Sequence, residues 1–207
     1  MQKEREILKK YLPPEAVLAV SDIFHANENL YLKISRARST KLGDYRWFPG
    51  DIHRISINHN LNPYQFLLTL LHEIAHFYTH KEFGRRVKPH GKEWKMFFGN
   101  LIRQFIKTGA FPAELVPELE IYARNPRAST GADGQLFVKL NAYNQESGDP
   151  KKYVFELLPG SYFAFENGQT FQLQEKRRTR YKCINISNNR TYLVHKNARV
   201  YPLKNPR

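Results

Sequence analysis

Cysteine is nearly missing from this chain: Cys183 stands alone among 207 residues. That excludes an intramolecular disulfide and any structural zinc site built from paired thiolates, and it fits a reducing compartment. Acidic residues are scarce as well, 19 against 33 Lys and Arg, which leaves a net charge of +14. Long apolar runs are absent. The longest fall far short of the roughly 20 residues that span a bilayer. The first residues, MQKEREILKK, lack the apolar stretch of a secretory signal. No membrane partner is expected, and a cytoplasmic location is. Neither an internal repeat nor a low-complexity tract is present. The hydrophobic fraction of 41% and the aromatic fraction of 14% are those of a folded chain, long enough for one domain with a small companion.

What is present centres on Leu67 to Gly91, read LLTLLHEIAHFYTHKEFGRRVKPHG. His72, Glu73 and His76 spell H-E-x-x-H inside an apolar run. In an α-helix, positions i and i+4 share one face about 6 Å apart along the axis, so both imidazoles can reach one metal ion. Glu73 falls beside that ion, where a general base for an attacking water must sit. Asn62-Pro63 supplies an N-cap and a first-turn proline just before the motif, which predicts a helix from Pro63 to about Phe83. Two histidines and a glutamate in so apolar a helix are costly unless something satisfies them.

A catalytic zinc usually takes three protein ligands and keeps one open position. The metzincin pattern would need glycine and histidine where Thr79 and Glu82 stand, which excludes that class. His80 would put three histidines in a row along one helix, a poor fit to tetrahedral geometry. Glu93, Glu114 and Glu118 are candidates of the gluzincin type. His90 follows a polar connector, GRRVKP, long enough to fold back, and is the preferred third ligand. His25, His53, His59 and His195 are isolated, and packing or surface roles are their default.

Around this motif, residues 3–12 and Pro14 to Asn29 read as helices. Leu30 to Arg38, Tyr45 to Phe48 and Ile52 to Asn58 read as strands, the last of them placed to flank the metal and to accept an extended peptide along its edge. Gly91 to Lys107 reads as a helix with an apolar stripe of Trp94, Phe97, Phe98, Leu101, Ile102 and Phe105, best taken as core. Pro112 to Tyr122 reads as a short acidic helix. Residues 124–134, RNPRASTGADG, form the best linker. Short strands follow at Leu136–Tyr143, Tyr153–Leu158, Tyr162–Phe165, Thr170–Leu173, Arg180–Ile186, Thr191–Val194 and Arg199–Leu203, with turns at Ser147–Pro150, Pro159-Gly160, Asn167-Gly168 and Asn188-Asn189. The expected fold is α+β, a helical zincin-like domain with a small sheet over residues 1–123, then the linker 124–134, then a basic antiparallel β domain over 135–207.

Ser39-Thr40-Lys41-Leu42-Gly43-Asp44-Tyr45-Arg46, the strand after it, Asn62-Pro63, HEIAH, His90-Gly91 and Trp94 together resemble the SprT-like metalloprotease family, the group that includes Spartan, a protease of DNA–protein crosslinks. The resemblance covers roughly residues 10–107. It implies one Zn²⁺ held by His72, His76 and His90, with Glu73 as catalytic acid/base, in a minimal zincin fold. Many members continue into a zinc ribbon with paired cysteines. A tail of this chain descended from that ribbon would have lost its metal and would be held by hydrophobic pairs.

Two main functions follow. The first is a zinc-dependent endopeptidase acting on a protein or peptide, including nucleic-acid-associated proteins. The second is a nucleic-acid-binding protein whose metal site is structural or inactive. Residues 151–207 carry 12 Lys/Arg against 3 Asp/Glu, whereas 111–150 carry 3 against 6. Such an excess suits a polyanion, and Lys176, Arg177, Arg178, Arg180 and Lys182, interleaved with Phe171, Tyr181 and Tyr192, are the expected DNA contacts. A third reading, a structural protein with an incidental HExxH, predicts no bound metal.

Overall fold

A computed structural model describes residues 2–38, 41–128, 134–144, 150–177, 180–196 and 198–204. Ser39, Thr40, Arg178, residues 129–133 of the expected linker and the turn residues Ser147, Gly148 and Asp149 lie outside the described residues. The chain divides into two compact units, Met1–Glu146 and Ser147–Arg207, and the architecture is α+β.

Unit 1 is built around one helix. Helices α1 (Gln2–Leu8) and α2 (Pro14–His25) precede a sheet of β1 (Leu30–Ser35), β2 (Gly43–Phe48) and β3 (Ile52–Asn58). Helix α3, Pro63–Phe83, follows, and it starts and stops for the reasons its sequence suggests. The Asn62 side chain accepts the backbone N–H of Gln65 at 2.9 Å, and Pro63 occupies the first turn. The helix buries Phe66, Leu67, Leu68, Leu70, Leu71, Ile74, Ala75 and Phe77, so apolar residues lie on nearly every side. Such a helix must be the centre of its unit. It packs against β2 and β3 on one side and α4 (Lys92–Lys107) on the other. The buried stripe of α4 is Trp94, Phe98, Leu101, Ile102 and Phe105, core as expected. A 3₁₀ turn, Ala113–Leu115, leads into α5 (Val116–Arg124).

The strand order is β1-β3-β2, with β1 parallel and β2 antiparallel to β3. This corrects one expectation. The strand Ile52–Asn58 is the central one, so its backbone groups are taken on both sides and it cannot accept a peptide along its edge. Among the described residues, the outer strand beside α3 is β2.

A second correction concerns Leu136–Tyr143, expected as the first strand of the β-rich half. Residues Gly134–Ala142 form a helix, α6, and they fall within unit 1. Leu136 and Leu140 are one helical turn apart and both are buried in the unit 1 core. Asn62 donates to the carbonyl of Leu140 at 2.9 Å and to Oδ1 of Asn144 at 2.8 Å, tying α6 to the start of α3. Alternation and helical spacing overlap in so short a run, and the surface available for burial decided between them.

Unit 2 is an antiparallel sheet in the order β4-β9-β5-β6-β7-β8. Its strands are Lys152–Tyr153, Tyr162–Ala164, Thr170–Lys176, Arg180–Asn185, Thr191–His195 and Arg199–Leu203 for β4 to β9 in chain order. The expected strand Tyr153–Leu158 is cut short, because Val154–Glu156 curls into a 3₁₀ turn whose Glu156 carboxylate accepts the Tyr153 N–H. The core holds Val154, Phe163, Phe171, Leu173, Tyr181, Cys183, Val194 and Val200. Cys183 is fully buried, and burial pushes its thiol up to about 11, so it behaves as a small core residue rather than a thiolate. Among the described residues, no helix is long and apolar enough to cross a membrane.

Candidate metal centre

The Nε2 atoms of His72, His76 and His90 converge. The separations are 3.2 Å for His72–His76, 3.0 Å for His76–His90 and 3.2 Å for His72–His90. Tetrahedral bonds of about 2.0–2.1 Å to zinc place ligand nitrogens roughly 3.3 Å apart, so the triangle has the dimensions of three corners of such a site. Three neutral imidazoles that aim nitrogens at one point leave lone pairs or hydrogens in conflict unless a cation sits between them. The cluster could hold a metal ion, with one corner open.

Each histidine is placed by its own device. His72 and His76 are one turn apart on α3. His90 takes a left-handed backbone conformation, φ 57°, in the turn before α4. A non-glycine residue there is uncommon and its cost is borne by surrounding structure, a pattern that concentrates at functional sites. Trp94, fully buried one turn further on, donates its Nε1–H to the carbonyl of His72 at 3.3 Å. Its ring lies 4.7 Å from His72, 4.7 Å from His90 and 5.5 Å from His76. The residue read from the sequence as core therefore also forms the floor under all three imidazoles.

The other candidates are elsewhere. Glu114 is hydrogen-bonded to Tyr143, Glu118 pairs with Lys139 at 2.7 Å, and Glu93 is outside the cluster. His80 packs its ring against Trp47 and His53 at 5.5 Å each, without joining the triangle.

Glu73 is 6% exposed and faces β2. The strand and the helix are matched residue for residue: Gly43 lies against Glu73, Tyr45 against His76 and Trp47 against His80. A Cβ added to Gly43 would stand 2.7 Å from Oε1 of Glu73 and 2.7 Å from Cγ2 of Thr69, so only glycine lets the carboxylate lie this close to the strand. The role of Gly43 and the placement of Tyr45 had no signal in the sequence beyond the alternation of a strand, since each depends on a register between two elements.

Burial pushes the Glu73 carboxyl up to about 8, helped by the charge of Asp44 and opposed by Arg38 and Lys41. Burial lowers His72, His76 (to about 4) and His90, and the cluster's own mutual charge lowers the first two further. Neutral imidazoles are the ligating form. These shifts set the pH dependence of the metal-free protein. Below the unfolded histidine value of 6.5, the unfolded chain binds protons that the folded cluster refuses, so stability falls as pH drops toward 4. Above it, Glu73 holds a proton that an unfolded glutamate near 4.5 has lost, so stability falls as pH rises toward 8. Between 4.5 and 6.5 the histidines outnumber the single glutamate. Thermal melts of chelator-treated protein are expected to peak near pH 6.5 to 7, to lose about 1.4 kcal/mol per pH unit above the peak, where Glu73 acts alone, and to fall more steeply below it, where three histidines act against one glutamate. A steady rise in stability from pH 5 to 8 would contradict this account.

The expected nucleic-acid residues sit on unit 2. Lys176 ends β6, Arg180 and Lys182 lie on the less buried face of β7, and Arg177 is paired with Glu175 at 2.7 Å. Phe171 and Tyr181 point into the core, only 3% and 8% exposed, so neither is free to stack on a base. Tyr192 is 40% exposed. Of the isolated histidines, His53 is the exception: it is buried and hydrogen-bonded on both ring nitrogens.

Comparison with known proteins follows the same segment. Residues 18–113 match the model of the SprT-like family. Protein SprT of Pseudomonas fluorescens (strain SBW25), of Pseudomonas paraeruginosa (strain DSM 24068 / PA7) and of Pseudomonas aeruginosa (strain LESB58) are each 50% identical to this chain over 28 residues, 14% of this chain and 17% of the relative. The chain thus matches under a fifth of the length of these curated relatives. No solved structure matches it. All three clustered histidines and Glu73 fall inside the matched segment, so the part of this chain that is similar to the SprT-like family is the part that carries the candidate metal centre.

Proposed function

We infer that the chain is a zinc-dependent endopeptidase of the SprT-like type, working in the cytoplasm, with Zn²⁺ held by His72, His76 and His90 and with Glu73 as the acid/base. The observation that carries this reading is the three-nitrogen triangle with a buried carboxylate one residue from its first member. A bound zinc supplies Lewis acidity toward the scissile carbonyl and makes water a stronger acid. Glu73 then takes the proton of the attacking water and passes it to the leaving amine. A carboxyl pushed up to about 8 by burial is a better proton acceptor than a surface glutamate, and a cation in the cluster draws it back toward its ionised form. β2, as an outer strand among the described residues, offers backbone groups with which an extended substrate can pair beside Glu73.

The test is cleavage of an unfolded protein by the zinc-loaded chain, suppressed by a chelator and restored by zinc, with Glu73→Gln as control. Gly43→Ala is a subtler probe. The added methyl group forces the carboxylate aside by roughly an ångström, a misplacement worth about 10²-fold in rate. Metal content is expected to stay at the wild-type level. Unchanged kcat in Gly43→Ala would show that Glu73 tolerates displacement.

A second reading is favoured by the row of cations on β6 and β7: this sheet brings the peptidase to nucleic-acid-associated proteins. With Phe171 and Tyr181 buried, contact would be by charge more than by stacking. DNA affinity is then expected to fall steeply with salt, the logarithmic slope dropping by about 1 for each of Arg180 and Lys182 replaced by alanine. Affinity indifferent to salt would leave the charge without this role.

A further inference from the structure

The cluster leaves one buried group unexplained. His53 is 2% exposed, on the central strand, and is hydrogen-bonded at both ends. Its Nε2 lies 2.8 Å from Oδ1 of Asp51, and its Nδ1 lies 2.7 Å from the hydroxyl of Tyr45. Asp51 is an acceptor here, its carboxyl held below the usual range by the hydrogen bond from His53. The hydrogen of the imidazole is therefore on Nε2, and Nδ1 accepts the hydroxyl hydrogen of Tyr45. Asp51 is itself anchored. Asn29 donates to its Oδ2 at 2.8 Å and to its carbonyl at 3.0 Å. Its backbone adopts φ 56°, a left-handed conformation that turns the carboxylate back toward β3. Phe77 and His80 of α3 pack against His53 in edge contacts, ring centroids 4.9 and 5.5 Å away.

The far end of this chain of bonds is Tyr45. Its ring lies parallel to the imidazole of His76, 9° between planes and 6.3 Å between centroids. Two residues earlier on the same strand, Gly43 lies against Oε1 of Glu73. One strand, β2, thus packs against both a clustered histidine and the acid/base, and a hydrogen-bonded relay centred on the buried His53 fixes that strand at Tyr45.

The geometry points to Asp51–His53–Tyr45 as a strut that positions His76 and Glu73, holding the plane of the one directly and the place of the other through the strand that carries Gly43. This rests on the reading of the cluster as a zinc peptidase centre. The three are positioning residues and touch no reacting atom. A hydroxyl locked to His53 cannot swing, so the ring above His76 cannot either. Outer residues that orient a ligand in this way typically change metal affinity or activity about 10–100-fold when removed.

The test uses Tyr45→Phe, which keeps the ring and loses only its anchor, Asp51→Ala, which cuts the opposite end, and the double variant. Zinc affinity is read by competition with a chromophoric chelator, site geometry by the visible spectrum of the cobalt(II)-substituted protein, and catalysis by kcat and KM separately. Each single change is expected to weaken zinc binding about tenfold or more, to shift the cobalt bands, and to lower kcat more than KM. The double variant is expected to be no worse than the weaker single one, because the relay fails as a unit. Zinc affinity and cobalt bands at wild-type values in both single variants, with only the melting temperature lowered, would reduce His53 to a satisfied core residue and overturn the strut. Losses that multiply in the double variant would overturn it as well. Affinity and spectrum need no substrate, so a wild-type protein that binds zinc yet cleaves nothing sinks the peptidase reading while the strut is still judged. A wild-type protein that takes up no zinc overturns both.

Discussion

Glu73→Gln is expected to abolish peptide cleavage while leaving the metal and the fold in place. The substitution is nearly isosteric, so the packing against Gly43 and Thr69 survives. It also removes a charge from a site where burial already disfavours one. Stability should hold or rise slightly. What is lost is the capacity to accept and return a proton. Positioned general acid/base groups contribute about 10²–10⁴-fold, and here one group serves in both directions, so a fall of at least about 10³-fold in kcat is expected. Zinc content by mass spectrometry and initial rates on an unfolded protein are measured together. Full metal with wild-type turnover would remove Glu73 from the mechanism. Full metal with no turnover would separate the chemistry of this residue from the binding of the ion.

His90→Ala is expected to have the second large effect, on metal affinity. It takes away one of the three converging nitrogens and breaks the contacts with His72 and His76 at 3.2 and 3.0 Å. The loss should exceed the roughly 10–100-fold that follows removal of an outer partner, because a donor itself is gone. There is a readout in stability too. A ligand bound only by the folded state stabilises it by about 4 kcal/mol when present at a thousand times its dissociation constant. The rise in melting temperature on adding zinc, expected for wild type, should shrink or vanish in His90→Ala. Glu93→Ala serves as the comparison, since Glu93 lies outside the triangle and should leave zinc binding intact. Zinc retained at full affinity in His90→Ala would shift the third ligand elsewhere and undo the assignment of the centre.

The strut and the two substitutions above probe different distances from one point. On the proposed reading, Glu73 acts on the reacting groups, His90 on the ion, and Tyr45 on both from behind. Their effects should therefore separate into turnover alone, affinity first, and both in moderate degree.

Much of this protein is written locally. Asn62-Pro63 and the apolar run after it determine α3 to within its observed ends, because a side-chain cap, a first-turn proline and an apolar surface all act within a few residues. The i, i+4 placement of His72 and His76 is a property of any helix. The length of the connector is enough to put His90 within reach, though not to say that it arrives. Most of the unit 2 strands also follow from alternation and turn residues, since each buries one face against a core drawn from its neighbours.

What only the tertiary structure decided depends on partners distant in the chain. Leu136–Tyr143 reads as a strand from its sequence and is helical to Ala142 in the fold. It became a helix because Leu136 and Leu140 find the core of unit 1, and because Asn62, far earlier in sequence, donates to its backbone. β3 is central because β1 pairs with its other side, a pairing that no stretch of either strand announces. Phe171 and Tyr181 are core, not stacking surface, because the face of a strand that turns inward is set by the sheet it joins. The register that lays Gly43, Tyr45 and Trp47 against Glu73, His76 and His80 belongs to neither element alone. A strand repeats every two residues and a helix about every 3.6, and only packing chooses which members of the two series meet.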